Sequence, residues 1–169
     1  MPKARSFPPL ARNDARVLIL GSMPGAESLR QRHYYAYAHN QFWPIMGALF
    51  GAGRELAYPA RVRALLDRRI ALWDVLKSCE REGSLDGSIR LDSERPNDFA
   101  RFFDAHAGVR TVFFNGGKAQ SSFRRHVQPR LGALAARLRF VRLPSTSPAH
   151  AGMARAAKLK AWRQIRSHL

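Results

Sequence analysis

The stretch RVLILGSMPG, residues 16–25, contains the clearest fold signal in the sequence. The apolar run at 17–20 is rich in residues that favour strands and predicts a buried β-strand, which we expect over 16–23. Gly21, Pro24 and Gly25 predict that this strand runs into a tight turn.

Three further apolar runs of strand length occur along the chain, at 70–76, 110–114 and 139–143. Helical spacing of apolar residues occurs between and after them, at 41–50, 60–69, 98–106, in a segment ending at 126, and at 152–168. This alternation predicts an α/β fold, a four-stranded parallel sheet between helices, in a single domain over 16–169. Residues 1–15 have no periodicity and predict a loose lead-in, and the polar residues 78–96 predict a long loop.

Charge is distributed unevenly along the 169 residues, whose formal net charge is +17. Residues 1–104 contain 16 Lys and Arg against 12 Asp and Glu, whereas 105–169 contain 13 Lys and Arg and no acidic residue. A basic segment with no acid to pair with indicates an anionic partner, and the charge favours nucleic acid. A solvated basic face, or high arginine usage throughout a GC-rich genome, would give the same composition.

The remaining composition excludes several classes of protein. A single cysteine, Cys79, is incompatible with an internal disulfide framework, a cysteine-rich zinc site or an iron–sulfur cluster. No apolar run is long enough to span a bilayer, and the basic N-terminus lacks the apolar region of a secretory signal. We therefore expect a cytoplasmic monomer with no cofactor, no metal and no membrane partner.

Each predicted strand ends in a distinctive element. These elements are GSMPG (21–25), Asp74 to Cys79, NGGK (115–118) and PSTSPAH (144–150). Because ligands bind at the carboxyl ends of parallel strands, we expect the four elements to form one composite site. The glycine spacing matches neither a Walker A loop nor a dinucleotide-binding fingerprint, which argues against nucleoside triphosphates and dinucleotides.

The segment HYYAYAHNQFW, residues 33–43, is dense in aromatic, imidazole and amide groups. Aromatic faces stack on nucleobases, and amide groups read their edges through hydrogen bonds. We expect Phe42 and Trp43 to be core anchors of the following helix, and Tyr35 and Asn40 to belong to the site.

The loop 144–150 follows a strand and precedes the last predicted helix. Its short hydroxyl residues, with the amides of the helix N-terminus, suit a phosphate pocket, although they would equally serve as helix caps. Lys77 is a candidate phosphate contact or Schiff-base nucleophile, and a solvent-facing lysine is the plain alternative.

Together the turn 21–25, the segment 33–43 and the loop 144–150 resemble the uracil-DNA glycosylase superfamily. The resemblance runs from about 17 to 162 and is greatest to its hypoxanthine-DNA glycosylase branch, and the mismatch-specific uracil/thymine-DNA glycosylases share the order of elements. It implies a four-stranded parallel sheet between helices and a monofunctional DNA glycosylase of base-excision repair. Such an enzyme hydrolyses the N-glycosidic bond of a deaminated base in DNA, here with hypoxanthine preferred.

The resemblance also implies roles for particular residues. Tyr35 would stack on the flipped base, Asp74 would read its edge, and Asn40 is associated with catalysis. The substrate contacts expected in full are Gly21, Ser22, Met23, Pro24, Gly25, Tyr35, Asp74 and Asn115. The DNA contacts expected are Lys77, Ser145, Thr146, Ser147, Ala149 and His150.

One departure from the family pattern bears on the substrate. Uracil-removing relatives have Asn or Asp in the first turn where this chain has Met23, which neither accepts a proton nor orients water. Ordinary uracil excision is therefore disfavoured, but a uracil- or xanthine-removing glycosylase remains an alternative. So does a non-catalytic nucleic-acid-binding module that uses the aromatic residues for stacking. A hydrolase of free nucleosides is disfavoured because a small substrate does not need the basic last third.

Overall fold

Within residues 2–169, which the computed structural model describes, the chain forms a four-stranded sheet, a three-stranded sheet and six α-helices. The strands are β1 (Lys3–Arg5), β2 (Val17–Gly21), β3 (Ile70–Asp74), β4 (Leu76–Glu80), β5 (Arg95–Pro96), β6 (Thr111–Asn115) and β7 (Arg139–Leu143). The helices are α1 (Ala26–Gln31), α2 (Phe42–Phe50), α3 (Tyr58–Asp67), α4 (Phe99–Ala105), α5 (Gly117–His126) and α6 (Arg155–Trp162). The larger sheet is parallel with the order β3-β2-β6-β7, which confirms the predicted fold class.

The central strand β2 pairs with β3 on one side and with β6 on the other. Its four apolar residues are fully buried. Leu18 and Leu20 belong to one hydrophobic cluster, whereas Val17 and Ile19 belong to the other, because successive side chains point to opposite faces of a sheet. A continuous apolar run is what a parallel sheet covered on both faces requires, so these residues determine the layered fold.

Each face of the parallel sheet is covered by aromatic residues from helices. One face packs against α4 and α5 through Phe99, Phe102, Phe103 and Phe123. The other packs against α2 and α6 through Phe42, Trp43 and Trp162, so the prediction that Phe42 and Trp43 are core anchors is confirmed. No helix in the described part of the chain combines the length and the apolarity needed to cross a bilayer.

The predicted strand over 70–76 is divided between the two sheets. It leaves the parallel sheet after Asp74, where the Val75 N–H donates to the Gly21 carbonyl (2.8 Å) and the Leu76 N–H donates to the Ser22 carbonyl (3.1 Å). Leu76 then begins β4, which pairs antiparallel with β1 and β5. The segment 78–96, predicted to be a loop, therefore starts and ends in a sheet.

Residues 2–15 differ from the loose lead-in predicted for this part of the chain. Residues 3–5 form β1 on the edge of β4, Leu10 and Leu72 exchange two backbone hydrogen bonds (2.9 Å each), and the Trp73 indole donates to the Phe7 carbonyl (2.9 Å). The physical reason is that the outer edges of β3 and β4 present backbone N–H and C=O groups that need partners.

A buried carboxylate connects the small sheet to α5. Glu94, which precedes β5, contacts Lys118 (Nζ–Oε1, 2.6 Å) and His126 (Nε2–Oε2, 3.0 Å), and the Ser122 hydroxyl donates to it at 2.8 Å. Burial raises the pKa of Glu94, but the hydrogen bonds from Lys118, His126 and Ser122 outweigh burial and lower the pKa below its ordinary value.

We expect Glu94→Ala to lower the free energy of unfolding by about 3–5 kcal/mol, because removing one partner of a buried ion pair leaves uncompensated charge. Chemical denaturation near pH 7 measures the loss. Glu82→Ala is the matched control, since Glu82 is exposed and makes no side-chain hydrogen bond or ion pair with residues 2–169. Equal stabilities of the two variants would contradict the proposed role of Glu94.

Candidate active site

The carboxyl ends of the parallel strands meet at one edge, as the sequence predicts. Gly21 at the end of β2 pairs with Asp74 at the end of β3. The side chain of Asn115, at the end of β6, exchanges two hydrogen bonds of 2.9 Å with Thr146. The Gln41 N–H donates to the Thr146 carbonyl (3.0 Å), which brings the aromatic segment 33–43 to the same edge.

Gly21 lies where β2, β3 and the aromatic segment 33–43 come together. A Cβ atom at this position would lie 2.6 Å from Asp74 Oδ1 and 2.9 Å from Tyr35 Oη, closer than any side chain can be accommodated without a shift. The position therefore requires glycine because of contact rather than backbone conformation.

The turn after β2 presents backbone donors. The Met23 side chain is buried in the hydrophobic core, so only its backbone is available at the edge of the sheet. The N–H groups of Ser22 and Met23 donate to no acceptor within residues 2–169. Two adjacent free N–H groups at a strand end can bind a carbonyl oxygen of a ligand.

The loop after β4, residues 81–86, holds this turn in place. Three side-chain hydrogen bonds connect them: Ser22 Oγ to Asp86 Oδ1 (2.5 Å), Arg81 Nη2 to the Pro24 carbonyl (2.6 Å) and the Ala26 N–H to Ser84 Oγ (2.8 Å). We call residues 81–86 the brace loop. The geometry of the turn therefore depends on a segment sixty residues further along the chain.

Sequence reasoning missed the contribution of Arg81 and Asp86. Arg81 is only 3% exposed, and its Nε and Nη1 atoms have no partner among the described residues. An arginine in a polar, glycine-containing loop is ordinarily solvated, so no sequence signal distinguishes this one.

Asp74 is buried beside the turn without an ion-pair partner. Asn97 Nδ2 donates to its backbone carbonyl (2.8 Å), but no described residue donates to its carboxyl group, and Oδ2 is fully enclosed. Burial raises the pKa of Asp74 to about 7; the negative charge of Asp86 adds to the increase and the positive charge of Arg81 opposes it. A carboxyl group with this pKa is half ionised near neutral pH.

Tyr35 is held in an unusual conformation against the same residues. Its backbone φ is 54°, in the left-handed region that residues other than glycine rarely adopt, and such conformations concentrate at functional sites. Its ring stacks on Phe42 with centroids 4.0 Å apart, so only the opposite ring face can stack on a base. Its hydroxyl is buried and makes no hydrogen bond of normal geometry in the described chain; burial, with the charge of Asp74, raises its pKa, and the nearby Asn115 amide opposes this increase.

Asn40 lies two residues before α2, the helix that begins at Phe42 and has Gln41 as its N-cap residue. Asn40 Oδ1 accepts a hydrogen bond from the Phe42 N–H at 2.9 Å, and the Arg54 guanidinium donates to the backbone carbonyls of Tyr37 (2.8 Å) and Asn40 (3.3 Å). The Asn40 amide nitrogen has no acceptor within residues 2–169. This bond to the first N–H of the helix fixes the side chain but leaves one Oδ1 lone pair and both N–H groups for a ligand.

The loop 144–150 does not lead directly into a helix. Ser145 Oγ accepts from the Ser147 N–H (3.1 Å), and Ser147 Oγ accepts from the Ala149 N–H (3.2 Å). The helix predicted from 152 begins at Arg155, and these hydroxyl groups bond to the loop's own backbone. The serines therefore do not cap it, which overturns the capping alternative, whereas the phosphate pocket stays a prediction.

The ends of this loop are fixed by buried side chains. Lys158 of α6, 1% exposed, donates from Nζ to the His150 carbonyl (2.8 Å), and Trp162 donates to the Pro144 carbonyl (2.9 Å). Ala149 and His150 themselves are exposed. The loop is thus a rigid support that presents its tip to solvent.

The remaining predicted residues have different surroundings. Each polar atom of the Asn115 amide makes one bond to Thr146, so Asn115 positions the loop and keeps one N–H and one Oδ1 lone pair for a substrate. Lys77 is exposed on β4 and makes no side-chain contact with the strand ends. Arg142, which composition alone did not single out, lies over the start of α5: a Cβ on Gly117 would be 2.8 Å from its Nη2.

Comparison with known proteins gives a consistent result. The sequence profile of the uracil DNA glycosylase superfamily matches residues 8–166. Hypoxanthine DNA glycosylases from Methanosarcina barkeri and Methanosarcina acetivorans are 37% and 39% identical to this chain over 118 and 116 residues, which are 69% and 68% of this chain and 73% and 72% of the relatives. A solution NMR structure of a candidate uracil DNA glycosylase from Methanosarcina acetivorans has a TM-score of 0.77 at 30% identity, covering 98% of this chain and 99% of that one.

The burial of Asp74 predicts a pH-dependent stability difference. Between about pH 4 and pH 7 the folded protein retains a proton that the unfolded chain releases, so the stability contributed by protonated Asp74 is lost as the pH rises through about 7. Asp74→Asn removes this titration. We expect its stability advantage over the wild type to grow by about 2–3 kcal/mol between about pH 5 and pH 8, measured by denaturation at both values. A constant difference would show that the carboxyl does not titrate in this range.

Proposed function

This chain belongs to the uracil DNA glycosylase superfamily, and on that premise we propose that it is a monofunctional DNA glycosylase of base-excision repair. It hydrolyses the N-glycosidic bond of a deaminated base, with hypoxanthine preferred. The observation that carries the proposal is the group of polar atoms without partners at the strand ends: the N–H groups of Ser22 and Met23, the Asp74 carboxyl and the Tyr35 hydroxyl. The hypoxanthine DNA glycosylases among the relatives support the choice of base.

The polar atoms suit the edge of a flipped purine. Hypoxanthine presents O6 as an acceptor beside N1–H as a donor. The N–H groups of Ser22 and Met23 would donate to O6, and Asp74 would accept from N1–H. Adenine has an amino group in place of O6 and no N1–H, so the backbone donors would face a second donor. The free face of Tyr35 would stack on the base.

Asn40 is the residue we propose to orient the attacking water. Cleavage through an oxocarbenium-like sugar needs a water that is positioned more than one that is deprotonated, and an amide can hold it. The bond from the Phe42 N–H supports this role because it fixes the Asn40 amide within the aromatic segment while leaving a lone pair and two donors available. Most of the remaining work is extrusion of the base, which costs a few kcal/mol.

The loop 144–150 and the basic last third are the proposed DNA contacts. Ser145 packs against Gly116, whose added Cβ would lie 3.0 Å from the serine Cβ, and Arg142 lies at the adjacent Gly117. The exposed Ala149 and His150 lie at the loop tip, where they would face the gap left by the flipped nucleotide. Lys77, on a different surface element, would be a peripheral phosphate contact.

Two alternatives have specific consequences. A uracil- or xanthine-removing enzyme would use the same pocket, since both bases also place a carbonyl beside an N–H. A non-catalytic binding module would bind lesion-containing DNA without releasing a base. The enclosed, partner-free Asp74 favours an enzyme over a module, because a stacking platform alone has no use for a buried carboxyl group.

An excision assay across lesions tests the proposal. We expect the purified protein to release hypoxanthine from a deoxyinosine duplex faster than uracil or xanthine from matched duplexes, and to leave an intact abasic site. Release should continue in EDTA, because no step uses a metal, and borohydride should trap no covalent adduct through Lys77. Tight binding without release from any duplex would establish the binding-module alternative.

Asn40 variants separate chemistry from helix capping. We expect Asn40→Ala to slow single-turnover excision by about 10²-fold, or about 2.7 kcal/mol of transition-state stabilisation, and to destabilise the protein by about 1 kcal/mol. Asn40→Ser keeps a good cap residue but removes the amide, so it should melt close to the wild type and remain as slow as Asn40→Ala. A stable, fully active Asn40→Ser would refute the water-positioning role.

A further inference from the structure

The carboxyl group of Asp74 is placed where an ionised carboxylate has little support. Its side chain is 3% exposed, and no Lys, Arg or His within residues 2–169 lies within ion-pair distance of it. None of the described N–H or O–H groups donates to either carboxyl oxygen. Both oxygens therefore lack a hydrogen-bond partner: Oδ2 is fully enclosed, and Oδ1 lies at the point where Gly21 leaves no room for a side chain.

The titratable groups that face Asp74 do not compensate for the free-energy cost of ionising its buried carboxyl group. Tyr34 and Tyr35 face it from the aromatic segment, and their neutral phenols supply no charge. Asp86 and Arg81 face it from the brace loop, with opposite charges whose effects on the carboxyl oppose each other. Burial is the largest influence, and it disfavours the charged form.

We propose that Asp74 reads the base as a neutral carboxylic acid, which donates a hydrogen bond through its O–H and accepts one through its C=O. The inference rests on the proposed function and specifies the chemical class that the pocket selects. That class is any base with a lactam edge, in which a ring N–H lies next to a carbonyl group. Hypoxanthine, uracil and xanthine have this edge, and so do guanine and thymine, so reading this edge separates these bases from adenine and cytosine only.

The neutral and the ionised form of Asp74 differ in how many hydrogen bonds they make with a lactam and in whether they can donate one. A carboxylic acid forms two antiparallel hydrogen bonds with a lactam, O–H to carbonyl and N–H to C=O. An ionised carboxylate keeps the bond from N–H but places negative charge beside the base carbonyl. The neutral acid alone could also pair with adenine, because its O–H and C=O are interchangeable. The fixed N–H groups of Ser22 and Met23 therefore supply the discrimination against amino groups.

This assignment predicts a falling limb in the pH–rate profile, in which the excision rate decreases as the pH rises above neutrality. Because the pKa of Asp74 is about 7, the competent acid is depleted as the pH rises past that value. Single-turnover excision by the wild type should fall about tenfold for each pH unit above about 7.5. Asp74→Asn supplies one permanent donor and one permanent acceptor, so it should stay within about tenfold of the wild-type rate at pH 6 and show no limb.

Three further variants complete the experiment. Asp74→Ala should lose about 10²-fold or more at every pH. Asp86→Asn removes a charge that raises the pKa of Asp74 and should move the limb to lower pH, whereas the exposed Glu82→Gln should leave it in place. A folded Asp74→Asn that is as slow as Asp74→Ala, or a wild-type rate that stays flat or rises from pH 6 to 9, would overturn the neutral-acid assignment alone. A wild type that releases no base from any duplex would overturn the proposed function as well.

Discussion

The lack of space beside the Gly21 α-carbon is the constraint on which the site depends. Gly21 ends the central strand, whose position is fixed by a hydrophobic cluster on each face of the sheet. Gly21 also pairs with Asp74, and the Tyr35 hydroxyl lies close to the position that a side chain at Gly21 would occupy. The strand end, the buried carboxyl group and the aromatic segment therefore meet at this residue. The rigidity of the sheet is thereby passed directly to the groups that would hold a base.

Several buried polar groups around this point have no partner in the described chain, and each is unfavourable for folding. The Tyr35 hydroxyl, Asp74 Oδ2 and two nitrogens of Arg81 belong to this set. Burying a polar group without a hydrogen bond costs free energy, so their proximity is not explained by stability. A base with matching donors and acceptors would form hydrogen bonds with some of these groups. Buried polar groups without partners are uncommon in a protein core and are expected at a binding site.

The predictability of the structure from sequence follows the strength of each local signal. The four parallel strands could be predicted because a short apolar run such as 17–20 is typical of a strand that is buried on both faces of a parallel sheet. The three-stranded sheet could not be predicted, because β1, β4 and β5 are short and contain charged residues. They are stabilised by backbone pairing with one another and carry no alternating apolar pattern that would indicate a strand. Among site residues, the positions of Asp74 and Asn115 followed from the strand ends, but the use of both Asn115 amide atoms on Thr146 depends on a tertiary contact that sequence does not encode locally.

The brace loop gives the site a stability distinct from that of the sheet. Of its three hydrogen bonds to the turn and the start of α1, one comes from the buried Arg81 and two come from Ser84 and Asp86 in the exposed part of the loop, whereas the strands below are buried on both faces. Segments of this kind open locally at a much lower free energy than global unfolding. We therefore expect the turn held by the brace loop to open before the strands do: heat or denaturant would release the Ser22 and Met23 donors while the hydrogen-exchange protection of the sheet persists, so loss of function would precede melting.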